Sequence, residues 1–401
     1  MSTPTTAGFS LADEARRMRR RLIAHIEAGG TTDLVAQTQS VPASVYTDPL
    51  RFAAEQREIF GRQPLLAGLS GDLARPGDVM LFEAAGTEIL LVRGHNGAVH
   101  AFLNLCRHRG ARLVGDCAPR QRLTCPFHSW TYDLDGRLAG VPVGQAFDTL
   151  ERAAHGLVRV PVVEWHGMIF VIARPGEETI DVERFLGPIA PLLAALEFAG
   201  ATPVHADRLA VRANWKLALD SFCEPYHVPA AHPRTLSPAL VPWVAIYDCF
   251  GRHQRYASPG IELKDYAGKD DAGLPEPYYQ GVHSLFPNTT FTVGRLVGIG
   301  NREPFIAFYR IFPGETVGEA VALGSIYLPR GGDPATIPDL EKAHASIMHV
   351  VSSEDFVIAA DSWRRLAAAP ADFRLTFGRN EMLLQHNHRQ IAELAGMPLD
   401  A

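Results

Sequence analysis

The sequence predicts an α+β protein in which a small all-β domain precedes a larger domain whose helices cover an antiparallel sheet. From Gly77 to about residue 175, short apolar runs alternate with turn residues, which is the pattern of a β-meander. Beyond about residue 176, helical stretches bracket two predicted strands. Because 401 residues are too many for one ordinary core, two domains are expected.

We expect an N-terminal helical arm over residues 1–50, the all-β domain over 51–175 and the second domain over 176–401. Apolar runs predict strands of the first domain at 79–82, 88–92, 99–102, 122–124, 130–132 and 168–172. The second domain is expected to have helices near 181–198, 214–228, 338–367 and 379–395, and strands at 305–309 and 320–323. The Gly- and Asp-rich stretch 260–282 is expected to be a lid or pocket wall.

The arm carries five arginines between residues 16 and 21, but acidic residues interleave with them. No apolar core or small-residue cleavage site follows, so a secretory signal is not expected. Ser10 can begin a helix at about residue 11, and Gly29-Gly30 can end it. We expect this helix to be an oligomer-facing or surface element.

Composition excludes several classes of function. A formal net charge of −6 gives no support for a general nucleic-acid-binding surface. The sequence contains no run of about eighteen apolar residues, so no membrane-spanning helix is expected. Five cysteines, an odd number, do not make a disulfide framework and indicate a reducing compartment. A cytoplasmic enzyme is the simplest interpretation.

Two short clips, each with one Cys and one His, form the most informative motif. Cys106 and His108 are followed sixteen residues later by Cys125 and His128, as C-x-H-x16-C-x2-H. Two thiolates and two imidazoles are the ligands of a Rieske [2Fe–2S] cluster, with Cys₂ on one iron and His₂ on the other. A zinc site uses the same side chains, although zinc motifs usually keep both cysteines in one clip. Cys117 fits neither clip and is expected to be a packed free thiol.

A second candidate metal site lies about a hundred residues further along the chain. If this stretch is helical, Asp220, Glu224 and His227 stand on one face. Pro229 then ends the helix and lets His232 return beside His227. Two imidazoles and a distant carboxylate make the facial triad of non-haem Fe(II) oxygenases. Pairs of histidines five residues apart are common in proteins, so this pair indicates a metal site only in combination with the Cys and His clips upstream.

The motifs together resemble the Rieske non-haem iron oxygenase α subunits, the aromatic-ring-hydroxylating dioxygenase family. Asn104–Ala111 and Cys125–Tyr132 resemble the two cluster-binding loops, and Ala213–Lys216 resembles part of the catalytic domain. The resemblance extends to Phe377–Glu381 near the end of the chain. It implies a Rieske [2Fe–2S] domain followed by a helix-grip (START/SRPBCC-like) catalytic domain.

The same resemblance implies the ligands of two cofactors. Cys106 and Cys125 would hold one iron of a [2Fe–2S] cluster, one cluster per subunit. The other cluster iron would be held by two imidazoles, those of His108 and His128.

One mononuclear Fe(II) per subunit would be held by His227, His232 and a downstream carboxylate. The segment Ser353–Phe356 resembles the helix that carries this carboxylate in the family. We choose Asp355 as the ligand and keep Glu354 as the alternative, because adjacent carboxylates point to different helix faces.

Two further carboxylates are candidate catalytic residues. Glu224 occupies the place of an Asp that, by resemblance, bridges one subunit's iron ligand and a cluster-ligand His of the neighbour. Asp220 is expected to support this network. Glu at this position also occurs in a subgroup that oxidises quaternary ammonium compounds.

The expected function is that of a terminal oxygenase component, an oxidoreductase that incorporates O₂. It would take electrons from NAD(P)H through a separate reductase, with or without a ferredoxin, because the sequence shows no G-x-G-x-x-G nucleotide motif. The substrate would be a small aromatic or quaternary ammonium compound that is hydroxylated or oxidatively demethylated. The resemblance also implies a homotrimer.

Three alternatives remain open from the sequence: an aromatic-ring cis-dihydroxylating dioxygenase, a Rieske electron-transfer protein and a zinc-stabilised ligand-binding module. Several aromatic residues of the second domain are candidates for the substrate pocket, namely Phe222, Phe286, Phe291 and Phe308.

Overall fold

The structure, a computed structural model, describes residues 9–84, 86–270, 273–295 and 304–399. The described residues form two compact units. The larger unit comprises those within Met1–Ile59, Leu186–Glu197 and Thr202–Ala401. The smaller unit comprises those within Phe60–Phe185 and Phe198–Ala201.

The helices and strands are numbered in chain order. The strands are β1 (Gln39–Pro42), β2 (Leu65–Leu69), β3 (Val79–Ala84), β4 (Thr87–Arg93), β5 (Val99–Leu103), β6 (Leu123–Thr124), β7 (Thr131–Tyr132), β8 (Leu138–Gly140), β9 (Val162–Trp165), β10 (Met168–Val171), β11 (Thr202–Val211), β12 (Ile246–Phe250), β13 (His253–Ala257), β14 (Gly281–Leu285), β15 (Thr289–Gly294), β16 (Phe305–Pro313), β17 (Ala320–Leu328) and β18 (Arg374–Phe377). The α-helices are α1 (Leu11–Glu27), α2 (Ser44–Thr47), α3 (Pro49–Glu55), α4 (Val182–Leu186), α5 (Ala190–Ala195), α6 (Trp215–Asp220), α7 (Val228–Ala231), α8 (Ile337–Val350), α9 (Phe356–Leu366) and α10 (Met382–Ala395).

The smaller unit is built from antiparallel strands. Its described residues form three three-stranded sheets, ordered β3-β4-β5, β6-β7-β8 and β2-β10-β9. The strands predicted from the apolar runs are confirmed within one or two residues at each end. Phe102 and Tyr132 lie in the core beneath the loops that carry the Cys-x-His clips. A Cβ on Gly136 would lie 2.4 Å from the Phe102 ring, so the β7–β8 turn requires glycine both for space and for its φ of +88°.

The larger unit is organised around one antiparallel sheet, which has seven strands within the described residues. Their order is β11-β17-β16-β15-β14-β13-β12. Helix α8 packs on β11 and β17, and α6 packs on β16 and β17. The predicted arrangement of helices on an antiparallel sheet is therefore confirmed. No helix in the described ranges is long and apolar enough to cross a bilayer.

Helix α1 begins and ends where the sequence predicts. The Ser10 side chain caps its first turn by accepting the Asp13 N–H at 3.2 Å, and Gly29 and Gly30 follow its end with positive φ. The helix is not merely a surface element, because its apolar face is buried. On its other face, Arg17 and Arg21 bind Asp248 of β12.

The helix predicted over 214–228 is wrong in its second half. Helix α6 ends at Asp220, and residues 221–227 form turns before α7 begins at Val228. Pro225 has no N–H to continue the helix and disfavours helical geometry at Glu224. The prediction that Asp220, Glu224 and His227 share one helix face therefore fails, although the chain still folds back to bring His227 and His232 together.

The helix predicted over 338–367 is also interrupted. Residues Val351–Asp355 form a π-helical segment that joins α8 to α9. Such segments are rare and occur often at functional sites. Here the segment carries both carboxylates that were candidates for the third iron ligand.

Candidate functional site

The two Cys-x-His clips of the smaller unit share one backbone geometry. In the first, the Cys106 N–H donates to the Ala111 carbonyl at 2.8 Å, and the Gly110 N–H donates to the Cys106 carbonyl at 2.9 Å. In the second, Cys125 forms the same two hydrogen bonds, with the Trp130 carbonyl at 2.8 Å and the Ser129 N–H at 3.0 Å. The fifth residue of each loop has positive φ, +71° in the first and +54° in the second. The loops are thus structural equivalents despite their different spacing.

The clips bring their four side chains together in pairs. Cys106 and Cys125 are both buried, and burial raises the pKa of the Cys106 thiol. The Tyr132 hydroxyl lies 3.4 Å from the Cys106 sulfur, where it can donate to a thiolate. The ring centroids of His108 and His128 are 4.6 Å apart. Two thiols inside and two imidazoles outside match the division of ligands in a Rieske cluster.

Two observations test whether these residues fit the cluster. Nδ1 of His108 is buried and has no hydrogen-bond partner among the described residues, a costly arrangement that metal ligation would relieve. In addition, no three donor atoms of the described clip residues lie within 4.8 Å of one another. A single tetrahedral zinc needs separations of about 3.3–3.8 Å among all four donors. The donor set therefore fits a two-iron cluster better than one zinc ion.

Cys117 is a free thiol, as predicted, but it is exposed because it lies in an irregular segment at the surface. The prediction that this thiol is packed is therefore wrong.

The larger unit brings His227, His232 and Asp355 together. Their donor atoms lie within 4.8 Å of one another. Both imidazoles turn Nε2 toward the same carboxylate oxygen, Asp355 Oδ1, at 3.4 Å for His227 and 3.1 Å for His232. Two nitrogens and one carboxylate, with one side open to a cavity, fit the facial triad of a non-haem iron.

A second carboxylate holds the far side of each imidazole. Nδ1 of His227 donates to Glu224 Oε1 at 2.5 Å, and the His227 backbone N–H donates to Glu224 Oε2 at 3.0 Å. Nδ1 of His232 donates to Glu354 Oε2 at 2.5 Å. When the rings are neutral, as metal ligands must be, these bonds keep the proton of each ring on Nδ1 and leave Nε2 as the metal-facing atom.

The two adjacent candidates for the third ligand thus occupy different places. Asp355 faces the shared donor cluster, whereas Glu354 contacts His232 from behind and also accepts the Thr235 hydroxyl at 2.9 Å. The sequence did not indicate this contact of Glu354. Only the π-helical turn brings both neighbouring side chains to one imidazole.

The electrostatics of the site keep the carboxylate charged. Burial by itself would raise the pKa of Asp355, but its hydrogen bonds to His227 and His232 outweigh this and lower it. Burial by itself would lower the pKa of His227, but hydrogen bonds to Asp355 and Glu224 raise it to about 10. A divalent cation would take the place of the protons that these contacts hold between the rings and Asp355.

Asp220 forms a separate buried group. It accepts the Tyr46 hydroxyl at 2.6 Å and lies 3.0 Å from Nε2 of His388. These side chains connect α6, α2 and α10, directly before the turn that carries Glu224. The arrangement identifies the partners of Asp220, neither of which was apparent from the sequence.

A cavity of about 260 Å³ opens onto the His227–His232–Asp355 cluster. Its walls include Phe222, Tyr256, Phe305 and Tyr309, and Glu262 lines it from the stretch expected to form a pocket wall. Phe222 was correctly predicted as a pocket residue.

The other three aromatic predictions for the pocket are wrong. Phe286, Phe291 and Phe308 lie buried in the core rather than along the cavity. In β16, Phe305, Ala307 and Tyr309 alternate toward the cavity, so Phe308 faces the opposite side of the sheet. The alternation was readable in the sequence, but the face that borders the cavity was not.

Comparison with protein families agrees with both halves of this description. Residues 63–152 match the Rieske [2Fe-2S] domain, and residues 198–396 match the ring hydroxylating alpha subunit catalytic domain. The first match contains all four Cys and His residues of the clips, and the second contains His227, His232 and Asp355.

Among characterised relatives, the glycine betaine monooxygenase oxygenase subunit of Chromohalobacter salexigens is 38% identical over 216 residues, 52% of this chain and 47% of the relative. The carnitine monooxygenase oxygenase subunit of Escherichia coli K12 is 32% identical over 201 residues, 48% of this chain and 52% of the relative. The chain thus spans about half the length of the curated relatives it matches.

Solved structures share the fold at low identity. A quaternary ammonium Rieske monooxygenase in complex with L-carnitine has a TM-score of 0.74 at 20% identity, covering 90% of this chain and 96% of that one. Naphthalene 1,2-dioxygenase from Rhodococcus sp. bound to indole has a TM-score of 0.72 at 18% identity, covering 96% and 99%. The predicted fold class is confirmed. Matches to both domain models and to these subunits show that the chain belongs to the family of Rieske-type ring-hydroxylating oxygenase α subunits.

Proposed function

We propose that this protein is a terminal oxygenase component that uses O₂ to hydroxylate or oxidatively demethylate a small quaternary ammonium compound. The observation that carries the proposal is the cluster of His227, His232 and Asp355 at an aromatic cavity. Electrons would come from NAD(P)H through a separate reductase.

Two cofactors complete the proposal. His227, His232 and Asp355 would hold Fe(II). A [2Fe–2S] cluster would be held by the four clip residues, Cys106, His108, Cys125 and His128. When bound, the cluster supplies single electrons and the mononuclear iron supplies O₂ activation.

The residues around the iron site have positioning roles. Glu224 and Glu354 fix the tautomer and orientation of the two imidazoles, so that both Nε2 atoms converge without rearrangement. We further propose that Glu224 links this site to a cluster-ligand histidine of a neighbouring subunit in a homotrimer. Asp220, held by Tyr46 and His388, would anchor the start of the turn that carries Glu224.

The cavity walls support a quaternary ammonium substrate. Such a cation has no N–H to donate and is recognised by aromatic faces and by charge. Phe222 and Tyr309 stack 4.9 Å apart at one wall, and Tyr256 lines another. Burial raises the pKa of Tyr256 well above its ordinary value, so its ring stays a neutral phenol. Glu262 adds a negative charge, and Arg295 offers a cation for a substrate carboxylate.

We place the protein in the cytoplasm, where NAD(P)H-dependent reductases supply electrons. Each of the five cysteines lies in the described part of the chain and none forms a disulfide, which suits a reducing compartment.

The test is turnover by the iron-loaded protein with a surrogate reductase, NADH and O₂, followed by mass spectrometry of products. The substrate panel contains glycine betaine, carnitine, choline and the aromatic compounds indole and naphthalene. We expect a demethylated or hydroxylated ammonium product in step with NADH consumption. A cis-diol from an aromatic compound alone would assign the dihydroxylating alternative instead.

A matched variant separates oxygenation from electron transfer alone. His227→Ala should retain a reducible cluster but form no product, because it removes one ligand of the proposed iron. If the wild type reduces its cluster and forms no product from any compound while zinc occupies the second site, the proposal is wrong.

A further inference from the structure

A second set of two histidines and one carboxylate lies in the larger unit, apart from the proposed iron site. His205 and Asp207 are two residues apart on β11, so both side chains leave the same face of the strand. β11 is the edge strand of the sheet as far as the structure describes it. Helix α8 packs against this strand and presents His344 to the two side chains.

The distances among the three side chains suit a shared metal ion. Asp207 Oδ2 lies 3.0 Å from Nε2 of His344, and Asp207 Oδ1 lies 3.5 Å from Nε2 of His205. One donor atom from each residue lies within 4.8 Å of the others. Ligands about 2.0–2.1 Å from one zinc ion are about 2.9–3.4 Å apart, depending on the geometry. Asp207 is already near that spacing from both histidines, and the exposed side chain of His205 would move to bring all three donors around one ion.

The exposure of the set suits a site that keeps water ligands. The His344 side chain is 1% exposed, whereas those of His205 and Asp207 are 51% and 41% exposed. One ligand is therefore fixed in the packed interface of helix and strand, and the other two face solvent. An ion bound here would have protein ligands on one side and water on the other.

We propose that His205, Asp207 and His344 bind one divalent transition-metal ion of the zinc type, with water completing its coordination. The site is separate from the proposed iron site and takes its ligands from different strands and helices. The ion would tie α8 to the edge strand. Because α8 continues through the π-helical segment to Asp355, the same tie would restrain the segment that carries the third iron ligand.

The test is a calorimetric titration of Zn²⁺ into the protein loaded with its iron and cluster, with iron content followed by elemental analysis. We expect the wild type to bind one more equivalent of Zn²⁺ than either of two variants, Asp207→Asn and His205→Ala. These two variants change exposed side chains and should leave the fold intact. Removing a residue that only hydrogen-bonds a metal ligand weakens metal binding about ten- to hundredfold. Removing a ligand itself should therefore weaken Zn²⁺ binding at least about tenfold.

The matched control is His349→Ala, which removes an exposed histidine from another face of the same helix. It should bind Zn²⁺ as wild type does. Zn²⁺ should also raise the melting temperature of wild type and of this control, but not that of Asp207→Asn. Anomalous scattering at the zinc edge should place the ion among the three side chains.

Equal Zn²⁺ binding by wild type and Asp207→Asn would overturn the proposal, as would zinc found only in place of the catalytic iron. The titration does not depend on turnover. Its outcome is therefore independent of whether the proposed oxygenase function holds.

Discussion

Glu354 accepts a hydrogen bond from Nδ1 of His232 across 2.5 Å. This contact leaves Nε2 of the imidazole facing Asp355, and it mirrors the contact between Glu224 and His227 on the other side of the cluster. Each histidine of the proposed iron site therefore has its own carboxylate behind it.

Glu354→Ala should weaken iron binding about ten- to hundredfold, because His232 loses the partner that sets its tautomer and orientation. Glu354→Gln should retain most of the affinity, since the amide oxygen can still accept the Nδ1 proton. The measurement is iron retention against a graded chelator, with acid-labile sulfide as the internal control for the cluster. Equal retention by wild type and Glu354→Ala would show that the contact does not position His232.

A buried ion pair of the larger unit should be important for stability. Nζ of Lys216 lies 2.5 Å from Glu55 Oε2, both side chains are almost fully buried, and Nε1 of Trp215 donates to the same oxygen at 2.8 Å. Lys216→Met should lower the free energy of unfolding by about 3–5 kcal/mol, because it leaves an uncompensated buried carboxylate.

Urea denaturation followed by tryptophan fluorescence measures this effect. The matched control is Lys342→Met, which removes an exposed lysine paired with Asp339 and should cost no more than about 1 kcal/mol. Similar losses in the two variants would contradict a special role for the buried pair.

The arginines that surround Asp248 of β12 should make stability depend on acid. Burial by itself would raise the pKa of Asp248, but the hydrogen bond and charge of Arg255 outweigh this and lower it. A carboxylate whose pKa is lower in the folded protein than in the unfolded chain stabilises the fold. This stabilisation is complete above the pKa in the unfolded chain, about 4, and is lost as the pH falls through the pKa in the folded protein.

Asp248→Asn removes this contribution at every pH. The unfolding midpoint of wild type should therefore exceed that of Asp248→Asn at pH 7, and the difference should shrink as the pH falls from about 5 toward 3. Using the difference between two proteins cancels acid effects on the cluster. A difference that stays constant over this range would contradict the assignment.

Substrate recognition should depend on the stacked aromatic pair at the cavity. Phe222→Leu should raise KM for a quaternary ammonium substrate about two- to thirtyfold, corresponding to about 0.5–2 kcal/mol for one aromatic face. Tyr309→Phe should change KM little, because the ring face remains. Phe373→Leu, at an exposed position of the larger unit, is the control. Unchanged KM in Phe222→Leu would remove this ring from the binding surface.

The sequence was sufficient to find the metal-binding candidates, because ligands held in short loops lie close together in the chain. The spacing of Cys106, His108, Cys125 and His128 predicted two clips, and the structure brings the clips together. His227 and His232 were also found, although the helix argument that connected them fails. Pro225 lies in the turns at 221–227 that replace the helix, and these turns bring the two histidines together. The expectation that Pro229 ends the helix is wrong, because Pro229 lies in the first turn of α7.

Side-chain direction was harder to predict. The alternation in Phe305–Tyr309 shows that Phe308 and Tyr309 face opposite sides, but only the packing of the sheet decides which side borders the cavity. The choice between Glu354 and Asp355 needed the π-helical turn, a local irregularity that periodicity does not signal. Long-range partners such as His344 with Asp207 or His388 with Asp220 depend on tertiary packing alone.

The central claim is that one chain carries both a [2Fe–2S] cluster and a mononuclear iron. The most direct measurement is iron and acid-labile sulfide per chain in wild type, Cys106→Ala and Asp355→Ala. We predict about three irons and two sulfides in wild type, loss of the sulfide and about two irons in Cys106→Ala, and loss of about one iron with sulfide unchanged in Asp355→Ala. Zinc without sulfide in wild type, or the same iron content in Asp355→Ala as in wild type, would contradict the account.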